Sequence, residues 1–395
     1  MSRLAELIEQ LCPDGVEYRA LGDVGVFVRG GGLQKADFVE TGMPCVHYGQ
    51  IHTRFGISVS ETVTFVSEAQ FARLKHADYG DLLIATTSED DEAVGKATAW
   101  LGDGEVAISG DMFYYRHNLE PKYVSYFFAS SSFQDQKRPY LTGAKVRRIA
   151  DKGLSRIQIP VPPLEVQREI VRILDQFTTL EAELEAELEA ELEVRRAQYE
   201  HYRTHLLSYE SLAARGQVRW CALGDVVRIC NGRDYKTLSA GDVPVYGSGG
   251  VMTYVSDYLS VGPTVLIPRK GSLDNIYFVE GQFWTVDTIF YTEIGDALHP
   301  KFFFHYMKQM KLSRMNEAAG VPSMTQRKLS SIRIPIPSYE EQRRIADSLD
   351  RFDALVNDIS SGLPAEIAAR RAQYEHYRDR LLSFPEKVVS RSDAS

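Results

Sequence analysis

The sequence predicts an α/β (α+β) protein built twice over. Two blocks of mixed sheet and helices alternate with two long antiparallel, coiled-coil-like helices, about an internal pseudo-twofold repeat. Three observations predict this. RRAQYEHYRTHLLS (195–208) matches RRAQYEHYRDRLLS (370–383) at twelve of fourteen positions, 175 residues apart. At the same offset IPVPPLEVQREIVRILDQF (159–177) matches IPIPSYEEQRRIADSLDRF (334–352). ALGDV occurs at 20–24 and again at 222–226, an offset of 202, so the stretch between the ALGDV and IP markers is 27 residues shorter in the second copy. Such self-similarity is read first because it governs the fold.

The elements follow in order. Residues 1–158 hold β-branched and aromatic runs cut by turn residues (43–51, 62–66, 81–88, 97–101, 111–116), then an aromatic helical stretch at 121–133. Residues 159–208 open on Pro160, Pro162 and Pro163 and contain neither Pro nor Gly from Leu164 onward, which permits one long helix. Its apolar positions Val166, Ile170, Ile173, Leu174, Phe177 and Leu180 have helical spacing. Tetrads of Leu-Glu-Ala-Glu then begin at Leu180, Leu184 and Leu188; each adds about 6 Å of helix and turns the leucine stripe by about 40°. Residues 209–333 repeat the strand-rich pattern (243–255, 264–272, 276–286, 288–293) and end in an aromatic helix at 300–310. The Asp81 run aligns with the Thr264 run, and Ser109–Asp111 with Thr285–Asp287. Residues 334–384 form the second helical block, with a break expected at Gly362-Leu363-Pro364 and Pro364 in the first turn of the continuation. Residues 385–395 read as a flexible tail.

Composition bounds the function. The 395 residues are 44% hydrophobic and 25% charged, as in globular protein, which excludes global disorder. No apolar run reaches the ~18 residues of a membrane span, and no apolar signal follows Met1, so a cytoplasmic protein is expected. The four cysteines form no Cys-x-x-Cys pair, which speaks against a zinc knuckle or a disulfide framework. The net charge of −9 argues against a generic nucleic-acid binder. The charge is uneven, however: residues 159–208 carry −6, whereas 209–333 carry +3.

Basic residues gather just before each IP marker. The first set is Lys137, Arg138, Lys145, Arg147, Arg148 and Lys152, with Gly143 as a flexible point. The second is Arg327 and Lys328 beside Ser323, Thr325 and Gln326, with Arg269, Lys270 and Gly249 in glycine-containing loops. Each charge alone is more simply a solvated surface group. As two sets at matching places in a repeat they suit contact with DNA phosphates and base edges. The helix ends repeat Arg195, Arg196, Tyr199 and Tyr202 as Arg370, Arg371, Tyr374 and Tyr377. These residue types suit either helix–helix packing or an outside partner. No catalytic or metal set emerges. Gly95-Lys96-Ala97-Thr98 fails the phosphate-loop pattern, and His201 and His205 lack a third ligand.

Taken in this order, the two-copy plan, both IP-x-P…Gln-Arg…Leu-Asp-x-Phe blocks, the doubled RRAQYEHYR ends and the central tetrads resemble the specificity subunits of type I restriction–modification systems. The resemblance covers the whole chain. It implies that each variable block is a target recognition domain reading half of a split, asymmetric double-stranded DNA site. It implies that the helices set the spacing and dock two modification (methyltransferase) subunits, to which restriction subunits join. S-adenosylmethionine, ATP and Mg would belong to those partners and no cofactor to this chain, in a bacterial cytoplasm. Two other classes stay open on residues alone: a fused nuclease or methyltransferase fragment with an unrecognised active site, and a structural coiled-coil adaptor.

Overall fold

The two markers that bracket each variable block meet in space. Tyr18–Ala20 pairs antiparallel with Gln158–Pro160, Arg19 opposite Ile159. Arg219–Ala222 pairs antiparallel with Arg333–Ile336, Cys221 opposite Ile334. Each variable block is thus closed at its base by a short ladder between ALGDV and IP. The computed structural model describes residues 3–315, 320–357 and 362–387. Six helices of nine or more residues carry the fold among the described residues: α1 (Arg3–Leu11), α2 (Pro121–Ala129), α3 (Leu164–Leu206), α4 (Pro300–Met310), α5 (Tyr339–Asn357) and α6 (Leu363–Leu381). The chain divides into two units, Met1–Glu185 with Ala369–Ser395, and Ala186–Ala368. These cross the boundaries read from sequence, because α3 and the second helical block are each shared out between both units.

In the first unit a five-stranded sheet has the order Gly25–Arg29, Met112–His117, Leu82–Ala85, Ala97–Trp100, Ser58–Val59. A second sheet contains Met43–Val46 parallel to Val106–Ile108. The second unit repeats both. Val227–Asn231, Ile289–Ile294, Thr264–Pro268 and Tyr277–Val279 form one sheet, and Tyr246 pairs in parallel with Thr285 in the other. The register corrects one sequence alignment. Met112 pairs with Ala85 and Ile289 with Pro268, so Asp111 corresponds to Thr288 rather than to Asp287. The break at 362–364 is where the sequence places it, with α6 starting at Leu363 and Pro364 in its first turn.

The aromatic helices are the keystones. Pro121 and Pro300 stand at the first positions of α2 and α4, where their fixed φ suits a helix start. Tyr123, Phe127 and Phe128 of α2 are buried with Leu82, Ile84, Val166 and Ile170 in one core. Phe302, Phe303 and Met307 of α4 are buried with Val265, Ile267, Ile345 and Leu349 in the other. Each such side chain contributes about 1.5–3 kcal/mol by leaving water. A buried glutamine ties each aromatic helix to the IP block. Gln167 accepts from Glu120 N (2.9 Å) and donates to Pro162 O (2.7 Å). Gln342 accepts from His299 N (2.7 Å) and donates to Pro337 O (3.0 Å).

The long helix meets the second helical block within each unit, antiparallel in the first. In the first, Thr178 and Tyr374 hydroxyls lie 2.7 Å apart, Phe177 and Tyr377 rings stack at 6.1 Å, and Glu185 pairs with Arg371. In the second, the Tyr202 and Phe352 rings stack at 5.3 Å. The leucine stripe drifts as the tetrad period requires, from Leu180 at 60% exposure to Leu188 and Leu192, both buried. The expected tail is partly ordered. Val16 N donates to Pro385 O (2.9 Å) and Lys387 N to Val16 O (3.0 Å), so 385–387 are bound to the first unit; residues 388–395 lie outside the described residues.

Candidate nucleic-acid interface

In the first unit, several loops meet beyond the Leu82–Ala85 strand. Arg147 and Arg148 pair with Ser88 and Thr87. Thr86 donates twice to Asp111 O, from N at 3.0 Å and Oγ1 at 2.9 Å, and accepts from Ile149 N at 3.1 Å. Beside them lies a concavity of ≈ 510 Å³ walled by Arg29, Thr87, Asp111, Thr142, Arg148 and Asp151. His52 Nε2 is 3.1 Å from Thr87 O. Burial pushes its imidazole below the ordinary range, with the Thr87 bond opposing and Lys96 assisting.

The second unit builds the same framework with different side chains. Lys270 bridges to Ser323. Arg269 N donates to Thr288 O (2.8 Å) and Met324 N to Arg269 O (2.8 Å). The Arg269 guanidinium lies 5.8 Å over the Phe290 ring. Ser248 O accepts from Asn275 Nδ2 (3.2 Å) and Tyr277 Oη (3.3 Å), which fixes the turn carrying Gly249. A more open concavity of ≈ 1040 Å³ runs along the edge strand Val227–Asn231 and includes Arg228, Asn231, Arg233, Glu293 and Gln326.

The residues singled out from sequence fare differently. Lys145, Arg148 and Lys152 are exposed around the first set of loops, and Arg147 is half-buried there. Arg138 is exposed and lies 3.4 Å from Asp135. Gly143 sits at φ +90°, where a Cβ would come 2.1 Å from Val146 O, so it is needed by the turn itself. The expectation for Lys137 is corrected. It is buried, and its ammonium donates to Glu92 O (2.7 Å) and Val94 O (2.6 Å), so it is turned into the unit and not toward the surface where DNA would lie. Burial pushes it down to about 8, while the carboxylates of Asp90, Glu92 and Asp91 pull it up. In the second unit Lys270, Ser323, Arg327 and Gly249 are exposed and Arg269 is half-buried. Thr325 caps the helix Gln326–Ser331 by accepting from Lys328 N. Gln326 donates to Ile229 O, and Lys328 Nζ to Met315 O at 2.6 Å. These last three side chains shape the loop that presents their neighbours.

The helix-end set also divides. Tyr199 is buried with its hydroxyl 3.4 Å from His305 Nδ1, and Tyr374 is held by Thr178. Burial raises both phenols above their ordinary value. Those two tyrosines serve the internal helix contact. Tyr202 and Tyr377 stack on Phe352 and Phe177 yet keep 44% and 43% of their surface in water. Arg196 is exposed, Arg195 pairs with Glu191 (3.3 Å), Arg371 pairs with Glu185, and Arg370 bonds Gln373 at 3.4 Å. Arg29 and Asp111 line the first concavity and Arg228, Asn231 and Arg233 the second, and none of them was among the DNA contacts expected from sequence. The offset of 202 was the available signal, since it places Arg29 and Asn231 at the same point of equivalent edge strands. Among the described residues no group of three or more His, Cys, Asp or Glu is arranged to hold a metal ion, and no helix is long and apolar enough to cross a membrane.

Comparison with known proteins agrees with this architecture. The sequence model of the type I restriction modification DNA specificity domain matches residues 13–194 and 218–369. A Haemophilus influenzae protein named as a type I restriction enzyme specificity subunit is 32% identical over 317 residues, covering 74% of this chain and 78% of that protein. The Escherichia coli EcoR124I/EcoR124II specificity subunit is 33% identical over 307 residues, covering 67% and 71%. Among solved structures, one from work on complex assembly and conformational transition of the type I R-M system superposes with a TM-score of 0.70 at 18% identity, covering 94% of this chain and 98% of the other. The HsdS subunit from Thermoanaerobacter tengcongensis gives 0.56 at 18% identity, covering 95% and 98%. The chain belongs to the type I restriction–modification DNA specificity family, whose part is to recognise DNA sequence and not to catalyse.

Proposed function

We propose that this type I specificity subunit reads a bipartite, asymmetric duplex, one half with the loops around Arg29, Thr87 and Arg147–Arg148, the other with those around Arg269–Lys270, Gly249 and Ser323. The observation that carries this reading is that one closed framework is built twice, with its loop end furnished differently each time. The exposed ring pairs Tyr377–Phe177 and Tyr202–Phe352 are equivalent under the repeat. That equivalence supports one modification subunit on each, two in all, with restriction subunits joining through that core. S-adenosylmethionine, ATP and Mg²⁺ would act on those partners, in the bacterial cytoplasm.

A methylation map of DNA from a host expressing the chain with its modification subunit tests this. The expected result is a split motif with adenine methylated in both halves. Exchanging 209–333 for another such block is expected to alter one half alone. An undivided motif, or both halves altered together, overturns the assignment. Because α3 is continuous, deleting Leu180–Glu183 shortens it by about 6 Å, and the spacer is expected to shrink by one or two base pairs at about 3.4 Å each. Unchanged spacing would count against α3 as the ruler.

A further inference from the structure

We propose that Asp91 is a positioning residue that turns Arg147 into a reader of guanine in the half-site taken by the first unit. This rests on the reading above, that the 142–148 hairpin faces DNA.

A guanidinium carries five N–H donors in a fixed plane. Arg147 Nε donates to Asp91 Oδ1, Nη2 to Asp91 Oδ2 (3.3 Å) and Nη1 to the Gly143 carbonyl. Three donors are therefore committed. Among the described residues the other two, one on Nη1 and one on Nη2, have no partner. Two such donors on a guanidinium whose plane is fixed from behind form the fork that meets guanine O6 and N7 in the major groove.

The buttress is itself anchored. Lys137 holds the carbonyls of Glu92 and Val94, and Gly95 N donates to Ala85 O (2.8 Å), so the acidic loop 89–92 is tied to the central sheet. Asp91 and Arg147 also cancel each other's charge. A neutralised arginine has little pull on phosphate, which is sequence-blind, but keeps its directional donors for a base edge. The arrangement thus favours base reading over phosphate binding. The second unit has no counterpart. Arg147 corresponds there to Pro322, and Asp274, the one carboxylate of the shorter matching loop, bonds Ser313 N (2.9 Å) and Oγ (2.6 Å).

The test compares the full chain with Asp91→Asn and Arg147→Ala, each in complex with the modification subunits. Binding is measured to the mapped target, to targets changed one base pair at a time in the first unit's half-site, and to random duplex. Asp91 is exposed, and its loss should leave the melting temperature nearly unchanged. For Asp91→Asn, discrimination at a single G·C pair is expected to fall by about tenfold. Random-duplex affinity should rise, with a salt dependence steeper by about one charge. Arg147→Ala should lose the preference at that same base pair, and Asp91→Asn should then add nothing. If Arg147→Ala erases a preference that Asp91→Asn leaves intact, the positioning role is overturned and the DNA-facing hairpin stands. If Arg147→Ala changes no affinity at all, the hairpin is not at the DNA and the underlying reading falls.

Discussion

The two units differ most at their loop ends and agree in plan where they touch the helices. In the first, Asp175 holds Lys122 Nζ (2.8 Å) and Tyr126 Oη (2.9 Å). In the second, Asp350 holds Lys301 Nζ (2.8 Å) and His305 Nε2 (2.7 Å). At the base, Tyr18 bonds the Phe384 carbonyl (2.9 Å), while its counterpart Trp220 lies against Tyr209 with rings 5.5 Å apart. Gly30 and Gly232 each leave a carbonyl oxygen only 2.1 Å from where a Cβ would stand, that of Ser109 and that of Val286. At the loop end the likeness stops. His47 opens a short helix in the first unit, where the second has the turn between Ala240–Gly247 and Gly250–Val255. Four carboxylates at 89–92 face a loop with one, Asp274. The repeat therefore preserves a mounting and varies what is mounted.

The largest effect that could break this equivalence is at the paired glycines. Gly30→Ala and Gly232→Ala each force backbone apart and are expected to cost about 3 kcal/mol, measured by chemical unfolding. A large loss at one and none at the other would show that the frameworks are not equivalent. Acid should separate the units next. Burial pushes His117 down to about 4 from an ordinary 6.5, with Asp81 opposing; the position opposite it in the second unit is Ile294. Between those pH values the unfolded chain binds a proton that the folded chain refuses. This stability is complete above pH 6.5 and falls as pH drops toward 4, by up to roughly 3 kcal/mol. His117→Ile is expected to flatten that dependence in a pH series of melting curves. The smallest test concerns the phenols. Tyr374→Phe and Tyr199→Phe should each cost about 1 kcal/mol in thermal melts. A marked inequality would rank the two helix contacts.

Much of the mounting was legible. The markers that recur in sequence form the closing ladders, and the Pro- and Gly-free stretch became one helix of 43 residues. The glutamine of each IP block was visible as a shared letter, but the bond it accepts depends on the start of an aromatic helix about 45 residues upstream. Lys137 looked like its basic neighbours because its burial follows from how Phe133 and the 92–95 loop close over it, not from local composition. The off-by-one alignment of Asp111 had the same origin. An acidic letter near a strand end is a weak register mark, and only the cross-strand pairing decides.

The distribution of the first unit along the chain has a consequence for synthesis. Leu382 is buried in its core, and residues 385–387 pair with Val16. The ribosome therefore begins this unit first and completes it last. Some 200 residues separate Glu185 from Lys387, an interval of about 10–40 s at ordinary rates of elongation. Before that time is out the second unit, contiguous from Ala186 to Ala368, is already whole. The half of the molecule that emerges earliest thus waits, unfinished, for the final turns of α6.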